Sequence, residues 1–437
     1  MKMRLLAGGA PRTPGMLRRF GALSAILLAS ACGQEGAVGA GEAAESLTVA
    51  QLESELNSLP AETEVSRAVA AAGPTCDAVC NAKSWIGEER YAEAREALVR
   101  HLATAPSDAD AALLLTSADI ADEEFGRAHQ LASAWLEENH DVRMIEQRAR
   151  ASLLGEDVET AVEDLRELIS ELKDQEPDAS ICDALTGACA TPVRVEAHAW
   201  VGLATAEYNR QNLEVAEQLA DTVIDPKAEA GHLDPAHGQF LRALIASQRG
   251  DDAAAETLYR DILARFPNEP GSLINIGGIH FRSGDLAAAR RFQMAGFEAA
   301  GTDRRSAAIA WSNVAEIDML EGKVEDAEAK YLEALETSKG FAGAHFGLAV
   351  LYDLAGRTDE AKRQMVLGLK LDDQGVTRWN TSWFTPEHQQ HFELLVAVAQ
   401  GDTDTAAQLA RALSQASDAG IATAASRWAK ATGPGRS

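Results

Sequence analysis

Positive charge and aromatic rings are what this chain has least of. Lys and Arg together number 40 against 67 Asp and Glu, a formal net charge of −27. A phosphate backbone is bound through a basic footprint, so this balance argues against a nucleic-acid partner. Aromatic residues make up only 5 % of the sequence. Beside abundant alanine, that scarcity favours helix, because alanine loses least on helix formation. There is no G-x-S-x-G, no H-E-x-x-H and no G-x-x-x-x-G-K-S/T, so the familiar hydrolase, zinc-protease and phosphate-loop signatures are missing. "CNAKSW" lacks the histidine that c-type haem attachment requires. Beyond the first 31 residues, no stretch approaches the roughly 20 apolar residues of a spanning helix.

What is present begins with an address. Lys2, Arg4, Arg12, Arg18 and Arg19 precede the apolar run "FGALSAILLASA". That run is short for a membrane span and long enough for a secretory leader. It ends in "LASAC", which resembles the lipobox of bacterial lipoproteins, with Ala29 where leucine is more usual. The resemblance implies a signal peptide over 1–31 and a lipid on Cys32. In such lipoproteins an aspartate after the cysteine favours the inner membrane. Gly33 is not aspartate, so an outer-membrane anchor facing the periplasm is implied, with soluble periplasmic or surface-exposed forms as alternatives. Residues 32–46, rich in Gly, Ala and Glu, read as a flexible tether. Leu47, Leu52, Leu56 and Leu59 then suggest a short helical lead-in over 47–74.

The body is organised by a recurring corner. Gly250, Gly284, Gly322, Gly356 and Gly401 each precede an alanine by five residues: Ala255, Ala289, Ala327, Ala361 and Ala406. Extending the alanine register backward adds Ala94, Ala128, Ala161 and Ala216. Twelve residues before the anchors, small side chains recur as Ala82, Thr116, Ala149, Ala204, Ala243, Gly277, Ala315 and Ala349. Glycine in the middle of an amphipathic stretch predicts a helix stop, where a left-handed residue satisfies orphaned carbonyls. Asp251, Asp285 and Asp402 follow as N-caps of a second helix. In the first four units Glu89, Glu123, Glu156 and Gln211 replace this glycine, so the pattern is degenerate there.

A step of 34 residues between such helix pairs resembles the tetratricopeptide repeat. The fold class expected is therefore all-α, a superhelical solenoid of helix-turn-helix repeats over about 75–416. It should be best formed over 196–372, with a C-terminal helix and tail at 417–437. Two long steps place insertions near 174–192 and 375–386, the second carrying Trp379, Trp383 and Phe384 as an alternative binding loop. In the repeat family the first helix of each unit lines a concave groove. That resemblance places Tyr208, Ser247, Phe281, Met319 and Asp353 there, eight residues before their anchors, and Phe346 joins that face by helical periodicity. Tyr208, Phe281 and Phe346 are the aromatic candidates for partner binding. The clamp used by some members is not recognisable, since its positions hold Thr205, Leu244, Gly278, Glu316 and Val350.

Apart from Cys32 there are four cysteines: Cys76, Cys80, Cys182 and Cys189. An even number in an exported chain reads as disulfides, with three connectivities open. Short separations favour Cys182 with Cys189 and Cys76 with Cys80. The spacing does not match a Cys₄ zinc site. His388 and His391 lack a third ligand and read as surface polar residues. No metal, cofactor or catalytic residue is expected. The resemblance to outer-membrane repeat lipoproteins, such as type IV pilotins and adaptors of envelope enzymes, implies a non-enzymatic scaffold for an envelope protein. The alternatives are a binding module for a cation, peptide or glycan, and a docking subunit of an envelope enzyme or of a secretion or pilus system.

Overall fold

The computed structural model describes residues 77–155, 157–176, 179–224, 236–371 and 386–431, with Val65 and Val69. Cys32, Cys76, Trp379, Trp383 and Phe384 lie outside the described residues, as does most of the lead-in. The described chain is a series of antiparallel helix pairs. The pairs are α1 (Ala78–Gly87) with α2 (Tyr91–Leu102), α3 (Ala109–Ala121) with α4 (Phe125–Glu138), and α5 (Val142–Leu154) with α6 (Val158–Lys173). A two-stranded hairpin follows, β1 (Ile181–Cys182) and β2 (Cys189–Ala190). Then come α7 (Pro192–Asn209) with α8 (Leu213–Ile224), α9 (Ala236–Gln248) with α10 (Asp252–Arg265), and α11 (Pro270–Arg282) with α12 (Leu286–Ala300). The last pairs are α13 (Arg304–Leu320) with α14 (Val324–Thr337), α15 (Ala342–Leu354) with α16 (Thr358–Leu371), and α17 (Pro386–Gln400) with α18 (Thr403–Leu413). A single helix, α19 (Ala419–Ala431), closes the stack. The fold is an all-α repeat solenoid. No described helix is long and apolar enough to cross a membrane.

The two helices of a pair differ because they meet different surroundings. α6 buries one stripe, Ala161, Val162, Leu165, Leu168, Ile169 and Leu172, at helical spacing. α11 is buried nearly all round, from Leu273 and Ile274 to Ile279 and Phe281, because it is sandwiched between second helices. Close crossing is what the small register demands. Every anchor alanine from Ala94 to Ala406 is buried, as are Ala82, Thr116, Ala149, Ala204, Ala243, Ala315 and Ala349 twelve residues earlier. Gly347 shows how tight the crossing is: a Cβ there would sit 2.3 Å from the Tyr331 ring.

The corners are the same whether or not they hold glycine. Gly250, Gly284, Gly322, Gly356 and Gly401 have φ of 80°, 82°, 76°, 82° and 78°. Glu89, Glu123 and Gln211 have φ of 61°, 64° and 64°, the same left-handed region. The N–H beyond each corner donates back across it, as from Arg90 to the Trp85 carbonyl at 2.8 Å and from Asp402 to the Ala397 carbonyl at 2.9 Å. Asp157 donates to the Ser152 carbonyl in the same way, at 2.9 Å. At Glu89, Glu123 and Gln211 the pattern is therefore degenerate in residue but not in geometry, while Glu156 lies outside the described residues. The expected caps are in place: Asp251, Asp285 and Asp402 accept from the N–H groups of Ala254, Ala288 and Thr405.

Buried charges stitch units together at one register position, nine before the anchor. Asp119 accepts from Arg95 of the preceding unit and Arg127 of its own. Asp318 is held by Arg290 of the preceding unit and Lys330 of its own, each at 2.7 Å. Burial works to raise the pKa of Asp318, but hydrogen bonds from Lys330 and Arg290 outweigh it and hold the carboxyl below its usual range. The stack also curves back on itself. The Glu123 carboxylate, at the α3–α4 corner, accepts from the Ser338 hydroxyl at 2.7 Å and from the Gly340 N–H at 3.0 Å, more than 200 residues along the chain.

Candidate functional site

The three aromatic groove candidates are not at an open surface. Tyr208 is 2 % exposed, Phe281 9 % and Phe346 1 %. Each points to the unit that follows it. The Tyr208 hydroxyl donates to Gln248 at the end of α9, at 2.8 Å, and Gln248 donates in turn to the corner residue Gln211. Phe281 packs with Ala289 and with Ile317 of α13. Phe346 meets Phe392 of α17 edge-on, with centroids 5.5 Å apart, and fills space left free by Gly368. Asp353 follows the same rule: it is fully buried and accepts from Trp428 at 3.0 Å while pairing with His391 Nε2 at 2.7 Å. The position eight before the anchor thus belongs to the seam between units, and the expectation of aromatic anchors for a partner is revised. His391, expected at the surface, is fully buried in that same seam.

The positions expected to hold a clamp are also consumed by packing in the middle units. Thr205, Leu244, Gly278 and Val350 are buried. Glu316 sits among them with its carboxyl pushed up to about 8 by burial. It is therefore mostly protonated at neutral pH.

The third unit is different. Arg150 stands eleven residues before Ala161, the register position of Thr205, Leu244, Gly278, Glu316 and Val350. Arg143, Glu146, Gln147 and Arg150 follow one another at the spacing of a single face of α5. Burial raises the pKa of Glu146 and lowers that of Arg150, each partly offset by the opposite charge of the other. Gln147 is 8 % exposed, and its Oε1 has no hydrogen-bond partner among the described residues. The buried Nε of Arg150 likewise has none. Sequence reasoning missed this row because it carried the groove register only through the better-formed units; the signal was the same spacing applied one anchor earlier.

Over this face lies the first insertion. Ile181 pairs with Ala190 and Cys182 with Cys189 across the two strands, and Cys182 and Cys189 are disulfide-bonded. Cys80 is disulfide-bonded as well. The hairpin tip is closed by Asp183, whose side chain accepts from the N–H and hydroxyl of Thr186, both at 2.7 Å, and Gly187 takes the positive φ of 66° the turn needs. Arg143 donates to the Cys182 carbonyl at 3.4 Å. The charge of Asp183 acts on both Glu146 and Arg150. Ala184 is buried and Leu185 packs with it in the core cluster that includes Leu113, Leu114 and Met144. Ile181 and Ala190 join the next cluster, with Ile145 and Val195. The hairpin thus covers a charged and amide-bearing helix face beside an apolar wall. Among the described residues no three His, Cys, Asp or Glu side chains are placed to hold a metal ion.

No protein-family model matches the sequence. No curated protein matches it either. Several solved structures are similar in fold at low identity. Pseudomonas aeruginosa pilF is 17 % identical, with a TM-score of 0.37 over 54 % of this chain and 99 % of that one. A tetratricopeptide repeat protein from Parabacteroides merdae is 16 % identical, with a TM-score of 0.41 over 60 % of this chain and 92 % of that one. Yeast Tom70 is 14 % identical, with a TM-score of 0.36 over 81 % and 87 %. Similarity at this level leaves function to be argued from the residues of this chain.

Proposed function

We propose that this chain is a non-enzymatic scaffold for a protein partner, held at a bacterial envelope membrane by a lipid on Cys32. The observation that carries the reading is the recurring register of helix pairs among the described residues. Its buried polar groups, such as Asp119, Asp318 and the Asp353–His391 pair, are engaged in joining units to one another. A stack of helix pairs in which such buried acids join one unit to the next presents surface rather than chemistry. The leader ending in "LASAC" supports the anchor, and Gly33 supports the outer membrane facing the periplasm.

The test is partner capture from detergent-solubilised envelopes, with wild type and Cys32→Ser side by side. Wild type should sediment with membranes and retain a discrete protein at fixed stoichiometry. Cys32→Ser should move to the soluble fraction or persist as a longer precursor. An unmodified Cys32 in the wild type, read by mass spectrometry, overturns the anchor. Retention on glycan or metal columns without any protein partner overturns the scaffold.

A further inference from the structure

We infer that the inner face of α5 is a receptor for a carboxylate-bearing, apolar-tipped turn of a partner protein, and that the disulfide hairpin 181–190 is a built-in competitor occupying it. The inference rests on the scaffold reading and specifies where and by what chemistry a partner is held. Three observations lead to it. The hairpin is a surface insertion, yet it inserts Ala184 into a core cluster and packs Leu185 behind it. Its backbone takes a hydrogen bond from Arg143, on the same helix face as Arg150. The seat is also imperfectly filled: Arg150 Nε and Gln147 Oε1 remain buried without partners among the described residues, although Asp183 is near enough to act on Arg150.

A buried guanidinium N–H left unpaired is costly, and a carboxylate that reaches it in bidentate geometry recovers that cost. A partner turn with its acid placed closer to Arg150 than Asp183 is would therefore bind more strongly than the hairpin, residue for residue. The aliphatic wall that accepts Ala184 and Leu185 fixes the second requirement, a small or branched apolar residue directly after the acid. The disulfide keeps the resident turn preorganised, which lowers the entropy lost on docking and lets so short a segment hold the site. A second loop docking on this face must first displace it, and that gives the scaffold an occupied resting state.

The probe is a synthetic, fluorescently labelled, disulfide-closed peptide of residues 180–190. It is titrated by anisotropy into two proteins, the intact chain and a variant in which 181–190 are replaced by a glycine–serine linker. The excised variant should bind saturably, and the intact chain at least tenfold more weakly because its face is filled. In the excised background, Arg150→Ala should weaken binding severalfold, because Asp183 acts on it through charge and not through a hydrogen bond. Absence of saturable binding to a folded excised variant, or equal binding by both proteins, overturns the inference. If the excised variant does not fold, Leu185→Asp in the intact chain replaces it. This substitution should release the hairpin, seen as faster amide exchange at 181–190 with gain of peptide binding, and unchanged exchange refutes the idea. A failure here beside successful envelope capture by the intact chain removes the receptor site and leaves the scaffold reading standing.

Discussion

The early and the late units turn the same corner with different residues. Glu89, Glu123 and Gln211 occupy the left-handed region that Gly250, Gly284, Gly322, Gly356 and Gly401 occupy elsewhere. A residue with a Cβ pays roughly 1–2 kcal/mol there. The difference teaches that the corner is imposed by helix packing and by the back-donated N–H, and that glycine only makes it easier. It also shows what the early units gain. Glu123 reaches Ser338 and Gly340 from its corner, and Gln211 accepts from Gln248. Glycine has no side chain with which to make either bond. The inner faces differ in the same sense. In the middle units that face is closed by packing, whereas α5 presents Arg143, Glu146, Gln147 and Arg150 to an inserted hairpin.

The largest expected effect tests the closed face. The carboxyl of Glu316 lies at about 8 in the fold against an ordinary 4.5, so folding disfavours its ionised form. Its stabilising contribution is full below about pH 4.5 and is lost as pH rises from there towards 8, because the unfolded chain releases the proton first. Glu316→Gln should therefore raise the stability at pH 8 by on the order of 4 kcal/mol and leave pH 4 nearly unchanged. Equal effects at both values, read from urea midpoints, would mean that Glu316 is not buried as described.

Next in size is a comparison of two helical glycines. Gly347→Ala must drive the Tyr331 ring from a position 2.3 Å from the new Cβ, and should cost roughly 2 kcal/mol. Gly126→Ala, in α4, meets nothing within 4 Å and should stabilise by roughly 0.5–1 kcal/mol through helix propensity. Thermal melts of the pair measure packing against propensity within one fold. Opposite signs are expected.

The smallest effects sharpen the corner comparison itself. Gly322→Ala should destabilise by about 1 kcal/mol and Glu89→Gly should stabilise by a similar amount, since both trade only backbone strain. Glu123→Gly should be close to neutral, because relief of strain is offset by loss of the bonds to Ser338 and Gly340. Its distinguishing signature is faster amide exchange at Gly340. If Glu123→Gly stabilises as much as Glu89→Gly, the contact between distant units contributes nothing.

The sequence alone determined the features whose causes are local. Periodic alanines specify close helix crossings, corner glycines and following aspartates specify stops and starts, and two cysteines seven residues apart specify a small ring. All are legible because each is a relation among residues within one or two helical turns or one loop. Only the tertiary structure decided which way the register faces. It turned Tyr208, Phe281 and Asp353 into the seams between units, buried His391 against Asp353, and seated the hairpin on α5. Those outcomes depend on the rotation between successive units and on the curvature that brings Glu123 to Ser338. These small angles accumulate along the stack, and no single stretch of sequence encodes them.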